Sequence, residues 1–330
     1  MQQKMNNKPF CAAILGATGY TGQELLALLA RHPRLGASFV SSEAEAGQPA
    51  PGGRLSYVRA EDVALGEVDI VFTCLPHGEA EPWALRARAA GARVVDLSSD
   101  LRDGRHGAVY GLPELWRELI RGADLVANPG CYPTGVLLAL APLLRNGLVE
   151  IGRPLMVDAA SGVTGAGRGA KRDLLFGEVA EDYRAYATGN THRHVPEIAR
   201  GLAQLADGAT TGRTVPFVFT PHLLPVRRGI LETLHVPVVS GVAAADVIAR
   251  WTDAYADEPF VEVWPAGLPS LRTTVHRNVA ALGAGDVAGL DAPLVTVVAS
   301  FDNLVKGAAG QAIQNANLML GMCEQEGLPR

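Results

Sequence analysis

The segment from residue 10 to residue 130 alternates short apolar runs with amphipathic stretches, and this alternation restricts the fold more than any other feature of the chain. The run FCAAIL is followed by GQELLALLAR, in which Leu25, Leu28 and Leu29 share one helical face, and then by ASFVSS. The same order recurs through VDIVFTCL, EAEPWALRARAA and RVVDLSS. Such an order is typical of a parallel sheet with helices on both faces, so we predict an α/β, doubly wound domain here.

The pattern changes in the second half of the chain. The runs PLMVDAA, TVPFVFTPHLLPV, ILETLHVPVV, FVEVWP, NVAALGA and LVTVVASFDN predict strands separated by Gly/Pro turns, with helices near residues 196–206 and 244–255. This predicts a mixed α+β, largely antiparallel second domain. The last segment, AAGQAIQNANLMLGMCEQ, predicts a helix that returns to the first domain. Because 330 residues are long for one core, we assign residues 1–131 and 304–330 to the first domain and 132–303 to the second.

Composition excludes several partners. The formal charge is -5 and there is no Lys/Arg run, which argues against nucleic acid and anionic membranes but leaves a small phosphate-bearing molecule possible. The opening MQQKMNNKPF is polar, and the longest apolar run, VLLALAPLL, is far shorter than the roughly 20 residues of a membrane span. The four cysteines form no CxxC pair or metal-ligand spacing. We therefore expect a soluble, cytoplasmic protein with free thiols and no metal.

The motif GATGYTG follows the first predicted strand and opens the first predicted helix. Its glycines, Gly16, Gly19 and Gly22, allow a tight turn and the approach of backbone N–H groups to a pyrophosphate at the positive end of the helix. A glycine trio alone is equally consistent with a simple tight turn. Its place between a strand and a helix of a βαβ unit favours dinucleotide binding, as in Rossmann domains.

The end of the second strand is expected beside the adenosine ribose of such a cofactor. Here it has the residues Ser41, Ser42 and Glu43. The two hydroxyl groups suit a 2′-phosphate, whereas an inward Glu43 carboxylate would repel it. A solvated loop position for Glu43 is the alternative. We expect NADP(H) rather than NAD(H).

Cys131 lies in ANPGCYPTG, directly before a predicted helix with Pro133 near its start. A helix N-terminus lowers the pKa of a thiol, and its N–H groups can stabilise an oxyanion on a substrate. Free cysteines are usually small core residues, and we keep that interpretation for Cys11 and Cys74, in strands, and Cys323, at the end of the last helix. For Cys131 the strand-to-helix turn favours a nucleophile.

A cysteine nucleophile needs a proton partner, commonly histidine. The segment THRHVPEI carries His192 and His194 before a helix that we predict to begin at Pro196. An extended segment would place both imidazoles on one side and Arg193 on the other. A structural or exposed histidine is the alternative at each position.

With these motifs in place, the sequence resembles the N-acetyl-γ-glutamyl-phosphate reductases, relatives of aspartate-semialdehyde dehydrogenase. The resemblance covers residue 16 to about residue 314, and NPGCYPTG is its most specific part. It further includes CLPHGEA, DLSSDLRD, YGLPE, SGVTGAGR, THRHVPEI, FTPHLLPVRRGI and DNLVKGAAGQAIQ. The family often has a basic or amide residue where this chain has Glu43.

The resemblance implies that NADPH reduces N-acetyl-γ-glutamyl phosphate to the semialdehyde through a thioacyl group on Cys131. It implies His194 as the acid/base, and a substrate-binding set comprising Arg102 (toward the phosphate), His192, Arg193 and Glu197. The alternative for Arg102 is a surface salt bridge. The implied cofactor-binding set is Gly16, Thr18, Gly19, Tyr20, Thr21, Gly22, Ser41, Ser42, Pro76, Ser161, Gly162, Gly165 and Asn303. We expect a homo-oligomer, either a dimer or a tetramer.

Three other functions are compatible with the sequence. The first is reduction of a homologous acyl phosphate whose amino group is held by a carrier protein, although an acidic carrier would favour a basic pocket rim that this chain lacks. The second is aspartate-semialdehyde dehydrogenase, against which THRHVPEI argues. The third is a non-catalytic dinucleotide-sensing regulator, against which the intact cysteine and histidine pair argues.

Overall fold

The computed structural model describes residues 9–206 and 214–330, which form two compact units. The first unit comprises Met1–Pro129 and Ala308–Pro329, and the second comprises Gly130–Gly307 and Arg330. Residues 1–8, most of the opening in which we expect no targeting segment, lie outside the described residues. Within the described ranges, no helix combines the length and the apolar character that a membrane crossing requires.

The described part of the first unit contains a parallel sheet of six strands in the order β2-β1-β3-β4-β6-β5. The order reverses beside β1, so GATGYTG follows the strand at the switch point of the sheet, where doubly wound folds bind ligands. The strands are β1 (Phe10–Leu15), β2 (Leu35–Val40), β3 (Ile70–Thr73), β4 (Arg93–Asp96), β5 (Val109–Tyr110) and β6 (Leu125–Ala127).

Three helices connect these strands: α1 (Tyr20–Arg31), α2 (Ala80–Ala89) and α3 (Pro113–Arg121). The N-terminus of α2 is capped by Asp100, whose carboxylate accepts the backbone N–H groups of Gly78, Ala80 and Glu81. In contrast, no side chain in the described ranges caps α1, which begins directly after Gly19 and has no acidic residue in its first turn. The N-terminus of α1 therefore retains the positive potential of its unpaired N–H groups.

The second unit contains a mixed sheet in the order β11-β12-β13-β10-β7-β9-β8. Two of the pairings described, β7 with β9 and β11 with β12, are parallel, and the other four are antiparallel. This confirms the predicted fold class, an α/β doubly wound sheet plus a mixed α+β, largely antiparallel sheet. The strands are β7 (Leu155–Gly162), β8 (Arg184–Ala185), β9 (Phe217–Leu224), β10 (Ile230–Pro237), β11 (Val261–Val263), β12 (Ala280–Asp286) and β13 (Leu294–Phe301).

Helix α4 (Cys131–Arg145) is the buried central helix of the second unit, and it packs against β10 and β13. Pro142 lies inside it and has no N–H to donate to the carbonyl of Leu138, four residues earlier. The hydroxyl of Tyr255 donates to that carbonyl instead, at 2.6 Å. The apolar helix that begins at Cys131 thus tolerates an internal proline because a neighbouring side chain replaces the lost hydrogen bond.

The remaining helices of the second unit are α5 (Phe176–Val179), α6 (Val195–Ala206), α7 (Ala244–Ala254) and α8 (Leu271–Thr274). A π-helical turn, Val305–Ala309, precedes the last helix, α9 (Gly310–Met319), which belongs to the first unit and is buried along its whole length. The prediction that this helix continues to Cys323 was wrong. It ends at Met319, and Gly321 follows with a φ of 67°, a left-handed conformation that favours glycine. The prediction of Cys74 inside a strand was also wrong, because it follows β3 directly.

Glu232, in the middle of β10, is fully buried. Neither of its carboxylate oxygens has a hydrogen-bond partner among the residues that the structure describes. The side chain packs against Gly135 of α4, where a Cβ atom would lie 2.2 Å from a carboxylate oxygen. Burial raises the pKa of Glu232 well above its ordinary value. The carboxyl group is therefore held in its neutral form within the core.

We expect Glu232→Gln to stabilise the protein relative to wild type, increasingly as pH rises. A carboxyl whose pKa is raised in the folded state contributes stability below its unfolded pKa and loses it as pH rises toward the folded pKa. Between the unfolded and the folded pKa, each pH unit lowers the free energy of unfolding of wild type by about 1.4 kcal/mol. Glutamine cannot ionise, so the variant has no such loss. Urea unfolding at pH 5 and pH 8 should show the difference, with the exposed Glu178→Gln as a control. Parallel curves for wild type and Glu232→Gln would contradict it.

Candidate active site

Cys131 is the first residue of α4, and Gly130 before it is the extended N-cap residue. Because the first N–H groups of a helix have no acceptors within the helix, the thiol lies where negative charge is stabilised. The carboxylate of Glu197, on α6, accepts the N–H of Gly130 at 2.8 Å. Glu197 thus positions the turn that presents the thiol. The resemblance implies Glu197 in the substrate-binding set, and this hydrogen bond shows that it also contacts the backbone before Cys131.

The residues that follow β13 belong to the same unit as Cys131 and lie close to it. A Cβ atom at Gly307 would lie 3.1 Å from the Cβ of Cys131 and 3.3 Å from the carbonyl oxygen of Asp302. The Asp302 carboxylate fixes this turn by accepting the N–H groups of Leu304 and Val305. It also pairs with Arg228, at 3.2 Å. Only a residue without a side chain fits beside the thiol at position 307 without a shift of its neighbours.

His192 and His194 lie side by side, with ring centroids 4.8 Å apart. The segment is a turn, so the condition of an extended segment is not met: the N–H of Val195 donates to the carbonyl of His192, and α6 begins at Val195, one residue earlier than predicted. The Nδ1 atom of His192 accepts the N–H of His194 at 3.1 Å, so the ring proton is on Nε2. This local hydrogen bond, not a period of two residues, brings the imidazoles together.

An aromatic cluster joins these imidazoles to the helix of the nucleophile. Tyr132, the residue after Cys131, contacts His192, His194 and Phe219 edge to face, with centroid distances of 5.5, 5.8 and 5.2 Å. The hydroxyls of Tyr132 and Tyr186 are 3.0 Å apart. The ring of Tyr186 also contacts His192, at 5.6 Å. The second unit therefore gathers both histidines around the first turn of α4.

Three ionisable groups of this cluster, His192, Tyr132 and Tyr186, have pKa values shifted toward their neutral forms. Burial, with a smaller contribution from Arg193, lowers the pKa of His192 to about 4. Burial also raises the pKa of both Tyr132 and Tyr186, and a negative charge on Cys131 adds to each increase. At neutral pH the thiol is thus surrounded by uncharged phenols and an uncharged imidazole. The partly exposed hydroxyl of Tyr186 is a neutral hydrogen-bond donor in this cluster.

Four residues that we expected at the nicotinamide lie together in the second unit. The backbone of Gly162 is in close contact with that of Arg227 and Arg228, and a Cβ atom at Gly165 would lie 2.9 Å from the hydroxyl of Ser161. The amide of Asn303 connects Thr164, at 3.0 Å, with the N–H of Gly229, at 2.8 Å. Asn303 therefore holds the SGVTGAGR loop against the turn before β10.

The glycine loop of the first unit fits a dinucleotide. Gly16 has a φ of 84°, and a Cβ atom there would lie 2.6 Å from the carbonyl oxygen of Cys74. A Cβ atom at Gly22 would lie 2.7 Å from the Cα of Ala17. Between them, Thr18, Gly19, Tyr20 and Thr21 lead into the uncapped start of α1. A tight loop that ends at an open helix N-terminus is the arrangement that binds a pyrophosphate.

Arg102, expected at the substrate phosphate, lies in the first unit with 8% of its surface exposed. Its guanidinium donates to the carbonyls of Asn128, at 2.9 Å, and Leu97, at 3.1 Å. The alternative of a surface salt bridge was therefore wrong. Pro76, expected at the cofactor, is exposed after β3 and begins the turn that leads to α2.

Sequence reasoning gave no role to Tyr132, Tyr186 or Phe219, which are three of the five members of the aromatic cluster. Tyr132 was visible inside NPGCYPTG, next to the nucleophile, and its position was a usable signal. Phe219 lies on β9 and Tyr186 lies in the loop before α6, so only the tertiary structure shows their proximity to the imidazoles.

Comparisons with known proteins agree with this architecture. Residues 11–123 match the family model for the NAD binding domain of semialdehyde dehydrogenases, and residues 131–303 match the dimerisation domain of the same class. Among solved structures, aspartate semialdehyde dehydrogenase II of Vibrio cholerae has a TM-score of 0.77 at 21% identity, covering 96% of this chain and 99% of that one. The NADP complex of the Candida albicans enzyme has a TM-score of 0.68 at 17% identity, covering 94% and 98%.

The fold and the cysteine at the start of α4 thus define an oxidoreductase of the semialdehyde dehydrogenase class. Curated relatives are more specific. The N-acetyl-gamma-glutamyl-phosphate reductases of Pelobacter propionicus and Geobacter sp. (strain M21) are 43% and 45% identical to this chain, and each match covers 96% of the chain and 97% of the relative. The chain belongs to the N-acetyl-gamma-glutamyl-phosphate reductase family.

Proposed function

We propose that this enzyme reduces N-acetyl-γ-glutamyl phosphate to N-acetylglutamate semialdehyde with NADPH and releases phosphate. The observation that carries the proposal is the position of Cys131 at the N-terminus of α4, beside a cluster that contains two histidines. The identity to reductases of this name extends over both units, which supports the choice of substrate.

In the first step the Cys131 thiolate attacks the acyl carbon of the substrate. A carbon–sulfur bond forms, the bond to the phosphate oxygen breaks, and phosphate leaves with the bonding electron pair. Backbone N–H groups of the first turn of α4 stabilise the negative charge that develops on the carbonyl oxygen. Arg102 is our candidate for a contact with the phosphate, because a guanidinium suits the oxygens of that group.

In the second step the thioester is reduced. NADPH supplies a hydride to the acyl carbon when it is bound. His194 then protonates the oxygen to give a thiohemiacetal, and afterwards takes that proton back as the carbon–sulfur bond breaks and releases the aldehyde. His192, which is neutral because of its low pKa, and the exposed Arg193 bind the substrate. Glu197 acts through the Gly130 turn as a positioning residue.

The remaining assignments keep the domain bounds predicted from the sequence. Residues 1–131 and 304–330 bind NADP(H) through the loop from Gly16 to Gly22, with Ser41, Ser42 and Pro76. Residues 132–303 carry catalysis and dimerisation, and Ser161, Gly162, Gly165 and Asn303 approach the nicotinamide. A cytoplasmic location is part of the proposal, since all four cysteines are free thiols and a reducing compartment keeps them so.

We further propose that a second copy of this chain covers one face of the mixed sheet. Along β7 and β9, inward residues such as Val157 and Phe219 are buried, whereas Met156 and Val218 on the other face are 41% and 40% exposed. A partly exposed sheet face that carries apolar side chains, in a dimerisation domain, suits a symmetric contact between identical subunits. The partner is thus another subunit, and we propose no nucleic-acid or membrane partner.

The proposal predicts phosphate-dependent reduction of NADP+ by purified protein with N-acetylglutamate semialdehyde, the reverse reaction, followed at the nicotinamide absorbance. Omission of phosphate should abolish the signal, because the thioester then has no acceptor. Aspartate semialdehyde should give at most about a hundredth of the kcat/KM, since a mismatched polar group in a site is rejected by factors of this order or more. Higher activity with aspartate semialdehyde would overturn the substrate. No turnover with any semialdehyde, together with intact NADP+ binding, would support a non-catalytic regulator.

A further inference from the structure

The end of β2 is joined by a segment from the long connection that follows it. Ser41 forms a parallel bridge with Val58, and the N–H of Ser42 donates to the carbonyl of Val58 at 2.9 Å. Arg59 therefore lies directly beside Ser42 and Glu43, although sixteen residues separate Arg59 from Glu43 in the sequence. This is the edge of the first unit at which we expect the adenosine ribose.

The carboxylate of Glu43 accepts hydrogen bonds from two donors in this segment. The sequence had left two alternatives for Glu43, repulsion of a phosphate or a solvated loop position. One carboxylate oxygen accepts the N–H of Ala60 at 2.9 Å, and the other accepts Nε of Arg59 at 3.3 Å. The hydrogen bond from Ala60, followed by the effect of Arg59, lowers the pKa of Glu43. The carboxylate is ionised, and these two donors partly compensate its negative charge. It in turn fixes the position of the Arg59 guanidinium beside the end of β2.

The guanidinium of Arg59 remains available to a ligand. Its side chain is 69% exposed, and only Nε has a partner among the described residues. The two terminal nitrogens therefore present N–H groups that suit the oxygens of a phosphate. The nearby hydroxyls of Ser41 and Ser42 accept the N–H groups of Gly16 and Glu45, and each keeps its own proton to donate.

We propose that Arg59, held in place by Glu43, binds the 2′-phosphate of NADP(H) and determines the preference over NAD(H). The inference rests on the cofactor of the proposed function. Between residues 41 and 60 the only other basic residue is Arg54. A dianionic 2′-phosphate beside Ser41, Ser42 and Glu43 requires a positive partner, and Arg59 is the cation that the structure fixes at that edge.

The test is a calorimetric comparison of four ligands, NADP+, NAD+, 2′,5′-ADP and 5′-AMP, on wild type, Arg59→Ala and the matched control Arg54→Ala. Loss of charge-assisted hydrogen bonds to a phosphate should weaken binding of NADP+ and 2′,5′-ADP to Arg59→Ala by about 10- to 100-fold. Binding of NAD+ and 5′-AMP should stay within about twofold, because neither has the phosphate. Arg54→Ala should bind all four ligands like wild type, and Arg59→Lys should recover part of the loss.

Three results would overturn the inference. The first is unchanged NADP+ binding to Arg59→Ala. The second is an equal loss for NADP+ and NAD+, which would indicate damage to the fold of the site. The third is an equal loss in Arg54→Ala, which would indicate a diffuse positive potential. A wild-type protein that binds NAD+ as tightly as NADP+ would instead contradict the cofactor of the proposed function, so the two failures are distinguishable.

Discussion

Replacement of Cys131 by serine should reduce turnover by on the order of 10³-fold or more while leaving the affinity for NADP+ unchanged. The serine hydroxyl is almost wholly un-ionised at neutral pH even at a helix N-terminus, whereas the thiol there is readily ionised and is intrinsically more nucleophilic. Cofactor affinity should be retained because the glycine loop of the first unit is untouched. The phosphate-dependent rate and calorimetric NADP+ binding, measured on the same preparation, test both parts.

Cys323→Ser is the matched control, since it makes the same chemical change at an exposed cysteine of the first unit. It should retain full activity. A second readout is alkylation by iodoacetamide, which should inactivate wild type in step with modification of Cys131. Burial raises the pKa of the Cys74 thiol, so that residue should react slowly. More than a few per cent residual turnover in Cys131→Ser would place the nucleophile elsewhere.

The second large effect is expected at His194. Loss of a general acid/base typically costs about 10²- to 10⁴-fold in rate, so His194→Asn should lower kcat by that factor. It should also remove one limb of the pH profile, because asparagine does not titrate. Asparagine is similar in shape and should preserve the turn before α6. The measurement is kcat and kcat/KM across pH 5 to 9, with circular dichroism as a check of the fold.

His192→Asn is the variant with which the kinetics of His194→Asn are compared. With a pKa of about 4, His192 does not change its charge in the pH range of the assay, so its removal should leave the shape of the profile intact. Its loss should mainly raise KM for the acyl substrate, as expected for a contact made equally in the ground and transition states. The reverse pattern would transfer the acid/base role to His192.

The predicted fold matched the structure where local pattern determines it. The buried strands of the first unit are continuous apolar runs, and the helix after Cys131 has an apolar period, so each was visible in a short window. Helix α3 was not predicted: PELWRELIR is short, and Trp116 inside it departs from helical geometry, with a φ of -137°. Its burial against α9 depends on residues two hundred positions away.

The site was less predictable than the fold because its decisive contacts are non-local. Cys131, His192 and His194 were identified as chemistry-bearing residues, but the turn that pairs the imidazoles depends on one hydrogen bond that no periodicity shows. Glu43 was interpreted by its charge alone, since its partner Arg59 comes from a separate segment. Glu232 lies in the alternating run ILETLHV, and its placement among core residues became clear only from the pairing of β10.

The hydrogen bond from the N–H of Gly130 to the carboxylate of Glu197 couples the movements of the two helix starts at the site. Glu197 lies three residues after His194, on the first turn of the helix that begins at Val195, and it holds the residue before the nucleophile. This hydrogen bond thus links the start of α4, which carries the Cys131 thiol, with the start of α6, which directly follows His194. A displacement of one group by an incoming substrate carries the other with it. In the proposed reaction, proton transfer and bond formation therefore keep a common frame of reference while the acyl group changes from acyl phosphate to thioester to aldehyde.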